Sequence, residues 1–125
     1  MSGYPDRDRP FTLSVDASGL VRLTWVVGVR IDGALARESM DAVDELNAGR
    51  TRPLLVEMRG AGINREARLV FTQEVSASRV ALLGGTPVDR VVANFALSVS
   101  RMAMPIRFFS SDTEAVAWLH GDDSG

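Results

Sequence analysis

The chain has 125 residues, of which 46% are hydrophobic and 24% charged, with a formal net charge of −2. That length fits one domain with its own core, and the composition is ordinary for a globular fold. There is no cysteine, and all 14 basic residues are arginine, which excludes disulfides, thiolate metal sites and lysine chemistry. The lone histidine, His120, sits near the C-terminus, so the usual Ser–His nucleophile arrangement is nearly excluded as well. The mild acidity argues against a general nucleic-acid binder. No apolar run approaches the ~20 residues of a bilayer span, and a cytoplasmic protein is expected. No metal or cofactor site is read from the residues.

Residues 1–10 alternate charge and proline and read as a flexible arm. Phe11 to Val15 alternates apolar and polar, the period of a half-buried strand. Asp16-Ala17-Ser18-Gly19 is turn chemistry, and a second strand runs from Leu20 to about Val27, with Val21, Leu23, Trp25 and Val27 on one face. Asp32 caps a helix to about Ala48, with Leu35, Ser39, Ala42, Val43 and Leu46 inward and Gly49 as its stop. Leu54 to Met58 is a nearly all-apolar strand, covered on both faces. Gly60 and Gly62 mark a loop, and helical period returns from about Asn64 to Val75.

Arg79 to Leu83 is another buried strand, broken by Gly84-Gly85. Thr86 caps the next helix, with Pro87 at its first position and a stripe of Val88, Val91, Val92, Phe95, Val99 and Met102. Ile106 to Phe109 is the last strand, and Ser111-Asp112-Thr113-Glu114 is a capping box opening the last helix. Gly121 to Gly125 reads as a flexible tail. The order implies an α/β fold: a five-stranded mixed sheet, an antiparallel hairpin followed by parallel strands, with four helices.

Ligands on such a sheet bind beyond the carboxyl ends of the parallel strands. Arg59–Ile63, Gly84–Thr86 and Ser110–Ser111 lie there. Glu57 ends an apolar strand and needs a charge partner, for which Arg59, Arg65 and Arg68 are near in sequence. Glu57, Arg59, Asn64, Arg65 and Arg68 therefore form a candidate ligand or partner site; the plain alternative is a structural ion pair on the rim. Gly84-Gly85-Thr86 at a helix start could cradle an anion, or could simply begin a helix. The helix from Val88 to Met102 carries more apolar surface than one narrow stripe needs. Val91, Phe95, Val99 and Met102 are its candidate dimer-interface residues.

Pro53 to Gly60, Arg79 to Phe95, and Pro105 to Phe109 with Ala115-Val116-Ala117-Trp118-Leu119 together resemble bacterial STAS-like domains of the SpoIIAA-like group, often labelled STAS/SEC14. The resemblance covers roughly residues 11–120 and implies a single STAS-like domain there, commonly dimeric or acting through protein contacts. In anti-sigma-factor antagonists of that group, a serine at the start of the helix after the third strand is phosphorylated to switch partner binding. The matching stretch here, Gly62 to Ala67, has no serine or threonine, so that role is not carried over. The expectation is a non-enzymatic regulatory or scaffold domain: a homodimer, with a regulatory protein partner, and without the phosphoserine switch. Binding of a small apolar or anionic ligand is the alternative, and a carboxylate-dependent enzyme a more distant one.

Overall fold

The computed structural model describes residues 10–74, 77–99 and 104–121, with the backbone alone for 72–74 and 95–99. The two alternating segments form a hairpin. β1 (Phe11–Val15) pairs antiparallel with β2 (Val21–Trp25), Phe11 opposite Trp25 and Val15 opposite Val21. Asp16 organises the turn between them: its carboxylate accepts from the N–H of Ser18 at 2.9 Å, the N–H of Leu20 at 3.1 Å and the Ser18 hydroxyl at 2.6 Å. Gly19 supplies the left-handed φ of +91° that closes it.

β4 (Leu54–Glu57), β6 (Val80–Leu83) and β7 (Ile106–Phe109) continue the sheet in parallel, in the order β1-β2-β4-β6-β7. The helices are α1 (Gly33–Asn47), α2 (Arg65–Glu74), α3 (Pro87–Val99) and α4 (Asp112–Leu119). This is the mixed sheet and helix set that the sequence implies.

The period of two along each strand sorts side chains into two cores. On one face Leu23, Trp25, Leu54 and Val80 meet Ala36, Met40 and Val43 of α1 and Ala67 and Val70 of α2. On the other, Leu20, Leu55, Ala81 and Phe109 lie beneath Ala115, Trp118 and Leu119 of α4. Consecutive Leu54 and Leu55 are thus both buried, on opposite faces, as a strand covered on both sides requires. Each such leucine contributes about 1.5–3 kcal/mol. Arg79 donates to the Trp118 carbonyl at 2.7 Å, satisfying the C-terminal end of α4, and its guanidinium lies 5.0 Å from the Trp118 ring.

Several boundaries differ from the periodic reading. β2 stops at Trp25, and Val27, expected inward, is 66% exposed. The cause is a turn in which the Val29 N–H reaches the Val26 carbonyl at 3.1 Å and Gly28 takes φ +69°. The turn leads into β3 (Arg30–Ile31), which pairs with β5 (Gly62–Ile63) in a separate two-stranded parallel sheet. The stretch read as a glycine loop therefore contains a strand. In α1 the Asp32 cap holds, accepting from Leu35 N–H at 2.8 Å. Its inward positions are Ala36, Ser39, Met40, Val43 and Asn47, so Leu35, Ala42 and Leu46 pack at the flank. The chain turns left-handed at Ala48, one residue before Gly49.

α3 departs most. Asp89 and Ala93 face inward, while Val88 and Val91 are 51% and 66% exposed. Its phase is set by what Asp89 must reach. Val75 and Met102, most of the expected arm (1–9) and most of the expected tail (122–125) lie outside the described residues.

Candidate functional site

The carboxyl ends of β4, β6 and β7 open on a groove of about 480 Å³. Its walls are Glu57, Arg59 and Asp112, the Gly84-Gly85-Thr86 turn, Ser110, and the apolar Val27 and Leu83, with Asp89 at its base. All three loops placed there by the strand order contribute to it.

Glu57 has a charge partner, but not an expected one. Its Oε2 accepts from Arg22 Nη1 at 2.9 Å and from the Thr24 hydroxyl at 3.1 Å. The reason is register: Thr24 stands beside Glu57 on the adjacent strand, and Arg22, two residues back, points to the same face. Arg22 also donates to Asp112 Oδ2 at 2.8 Å, so one guanidinium joins β2, β4 and the first turn of α4. The Asp112 hydrogen bond raises the Arg22 pKa, partial burial opposes it, and the Glu57 bond adds to the rise. The ion pairs are half-exposed, and such pairs contribute about 1 kcal/mol or less.

The expected carboxylate–arginine group therefore does not converge. Arg65 and Arg68 belong to α2, which packs on the opposite face of the sheet from Glu57. Asn64 caps α2: its Oδ1 accepts from Ala67 N–H at 2.8 Å, which gives that side chain a structural role. Of the candidate ligand or partner residues, only Glu57 and Arg59 line the groove. Arg59 carries an unusual backbone. It and Gly60 both have positive φ, +52° and +76°, at the centre of a turn closed from Ala61 N–H to the Met58 carbonyl.

The backbone N–H groups that could have held an anion are already occupied. Asp89, with 0% of its surface exposed, directs its carboxylate into the turn. Oδ2 accepts from Gly85 N–H at 3.0 Å and Thr86 N–H at 3.1 Å, while Oδ1 accepts from Gly60 N–H at 2.6 Å. In return the Thr86 hydroxyl accepts from Asp89 N–H at 3.0 Å. This is a reciprocal capping box extended by a third donor from a separate loop. A Cβ at Gly84 would collide with Asp89, which fixes glycine there. The anion of this site belongs to the chain itself.

Arg22, Asp112 and Asp89 are thus the site residues that sequence reasoning missed. The Thr86-Pro87-Val88-Asp89 spacing gives the Thr86 cap, with Asp89 in the first turn, but not the reach of the Asp89 carboxylate to Gly60. Arg22 could be found only by knowing that β2 neighbours β4. For the candidate dimer face, Val91 is exposed on α3; the side chains of Phe95 and Val99 and the whole of Met102 fall outside the described residues. Among those residues no group of three or more metal-ligating side chains is found, and no helix is long and apolar enough to cross a membrane.

A family described as a domain of unknown function, DUF7793, matches residues 13–121. Among solved structures, an uncharacterised protein of the DUF3478 family with a SpoIIAA-like fold, from Shewanella loihica PV-4, has a TM-score of 0.62 at 17% identity. The match covers 95% of this chain and 98% of that one, and shows that the fold is SpoIIAA-like. A protein of unknown function from Arthrobacter sp. FB24 is 39% identical over 86% of this chain and 90% of that one, with a TM-score of 0.35. None of the curated proteins matches.

Proposed function

From the premise that this chain belongs to the DUF7793 family, we propose that it is a non-enzymatic regulatory or scaffold domain that works by protein contact. The observation that carries this is the phase of α3. Its inward face is Asp89 and Ala93, which leaves Val88 and Val91 turned to solvent. Adjacent exposed apolar side chains on one helix face offer a surface that another polypeptide can cover. Val27 extends the apolar rim at the same end of the sheet, where it and Thr86 line one groove.

The groove favours contact over turnover. Glu57 and Asp112 are both tied to Arg22, and Asp89 is fully engaged with backbone donors. A general acid or base needs a carboxyl that can reach a substrate proton in the right ionisation state, and each of these is committed to a structural bond. A small anion would compete with Asp89 for the same N–H groups. This favours a partner protein over a small anionic ligand.

The test is affinity capture from the native host with the tagged full chain and with Val91→Asp. The wild type should enrich a partner that the variant, still folded by circular dichroism, recovers at least tenfold less. Equal recovery by both would overturn the role of α3.

A further inference from the structure

The two edges of the main sheet are not alike. The β7 edge carries a charge, Arg107, which is exposed and stacks over Phe109 at 5.3 Å, and Pro105 immediately precedes the strand. Charge and proline are the devices by which edges are kept from pairing. Both edges have a flanking proline, Pro10 before β1 as Pro105 before β7, and they differ in charge: Phe11–Val15 is a run of five uncharged residues. Val15 is 39% exposed there.

The ladder phase says which backbone groups face outward. The Val26 N–H donates to the Pro10 carbonyl at 2.9 Å, and the Asp16 N–H to the Leu20 carbonyl at 3.0 Å. Both fall in the register that pairs Thr12 with Thr24 and Ser14 with Arg22. Hydrogen-bonded pairs in an antiparallel ladder recur every second residue, so Thr12 and Ser14 bond to β2. Leu13 and Val15 then turn their N–H and C=O groups away from it, and these meet no partner among the described residues.

We propose that this edge pairs with the same edge of a second copy, antiparallel across a two-fold axis at Ser14. In that register Leu13 and Val15 of each chain exchange N–H···O=C bonds with Val15 and Leu13 of the other. The strand complements itself in three respects. Leu13 lies opposite Val15 of the second copy on the apolar face, which covers Val15. Ser14 meets Ser14 on the other face, where a hydroxyl pair is favourable. No charge opposes a like charge. The result is a continuous ten-stranded sheet with the two α3 faces left open. A pairing of one short strand buries less than the ~1,000 Å² of a tight interface, so the dimer is a concentration-dependent one. This surface is separate from α3, so the two readings can fail independently.

Sedimentation of the full chain from micromolar to about millimolar concentration tests it, beside three variants and amide exchange of the wild type. The wild type should pass from monomer to dimer, with amide exchange at Leu13 and Val15 slowing as concentration rises. Val15→Pro removes an outward N–H and no β1–β2 bond, so it should fold and associate at least tenfold more weakly; Val15→Lys should do the same. Val91→Asp should dimerise as the wild type does. Monomer at every concentration, unchanged exchange at Leu13 and Val15, or dimers lost in Val91→Asp and kept in Val15→Lys would each overturn the proposal.

Discussion

Asp89 does at one position what three separate features would otherwise have to do. It caps α3, closes the Gly84–Thr86 turn and ties that turn to Gly60 in the loop after β4. A buried carboxylate is tolerable only because every donor around it is aimed at it. Asp89→Asn keeps the shape, removes the charge and turns an amide N–H₂ toward backbone N–H donors. It should cost about 3 kcal/mol, the scale of a lost charged hydrogen-bond set. Urea unfolding would show a lower midpoint at unchanged slope; a loss below about 1 kcal/mol would mean that Asp89 is not the clamp described. At this scale the sequence is only partly legible. Asn64 and Thr86 stand at recognisable cap positions. Glu57 stands out as a carboxylate in an apolar strand, but its partner is 35 residues away on a strand whose neighbour no local pattern reveals.

At the scale of elements, the hairpin shows how a local carboxylate stabilises a turn. The Ser18 hydroxyl, then the Leu20 N–H, hold the Asp16 pKa below its ordinary value. A carboxyl whose pKa falls on folding contributes its stabilisation above the unfolded pKa of about 3.9, and loses it as pH drops through the folded value. Asp16→Ala should therefore melt below the wild type at neutral pH, with the gap narrowing in acid as pH falls through the folded value. Thermal melts of both proteins at neutral and acid pH check this, and a gap of constant size would contradict it. The elements themselves were legible where periodicity and caps agree, as in β1, β4, β6 and α4. α3 was legible in where it starts and not in phase. Its valines form a helical stripe in sequence, but with Asp89 turned inward Val88 and Val91 stand outward. The apolar pattern says that a stripe exists; only the packing says whether it faces the core or a partner. The β3–β5 pair was illegible because strands of two residues carry no period to read.

Across the whole molecule, strand order gathers the chemistry at one end of the sheet and then satisfies it internally. The groove where such a sheet would hold a ligand is braced by Arg22 and Asp89, while the apolar surface that packing would normally consume stands outside on α3. The absence of lysine, which removes familiar catalytic chemistry, also makes amine-reactive cross-linkers nearly blind to this chain. Its contacts are better captured by a photo-reactive residue placed at a chosen position. Benzoylphenylalanine at position 91, on the exposed side of α3, compared in cells with the same residue at position 45, exposed on α1, tests whether α3 meets a partner protein. Position 91 should give a covalent adduct with a different protein, and position 45 none. Equal adducts from both positions, none from either, or only an adduct of twice the chain's own mass from position 91 would contradict that contact.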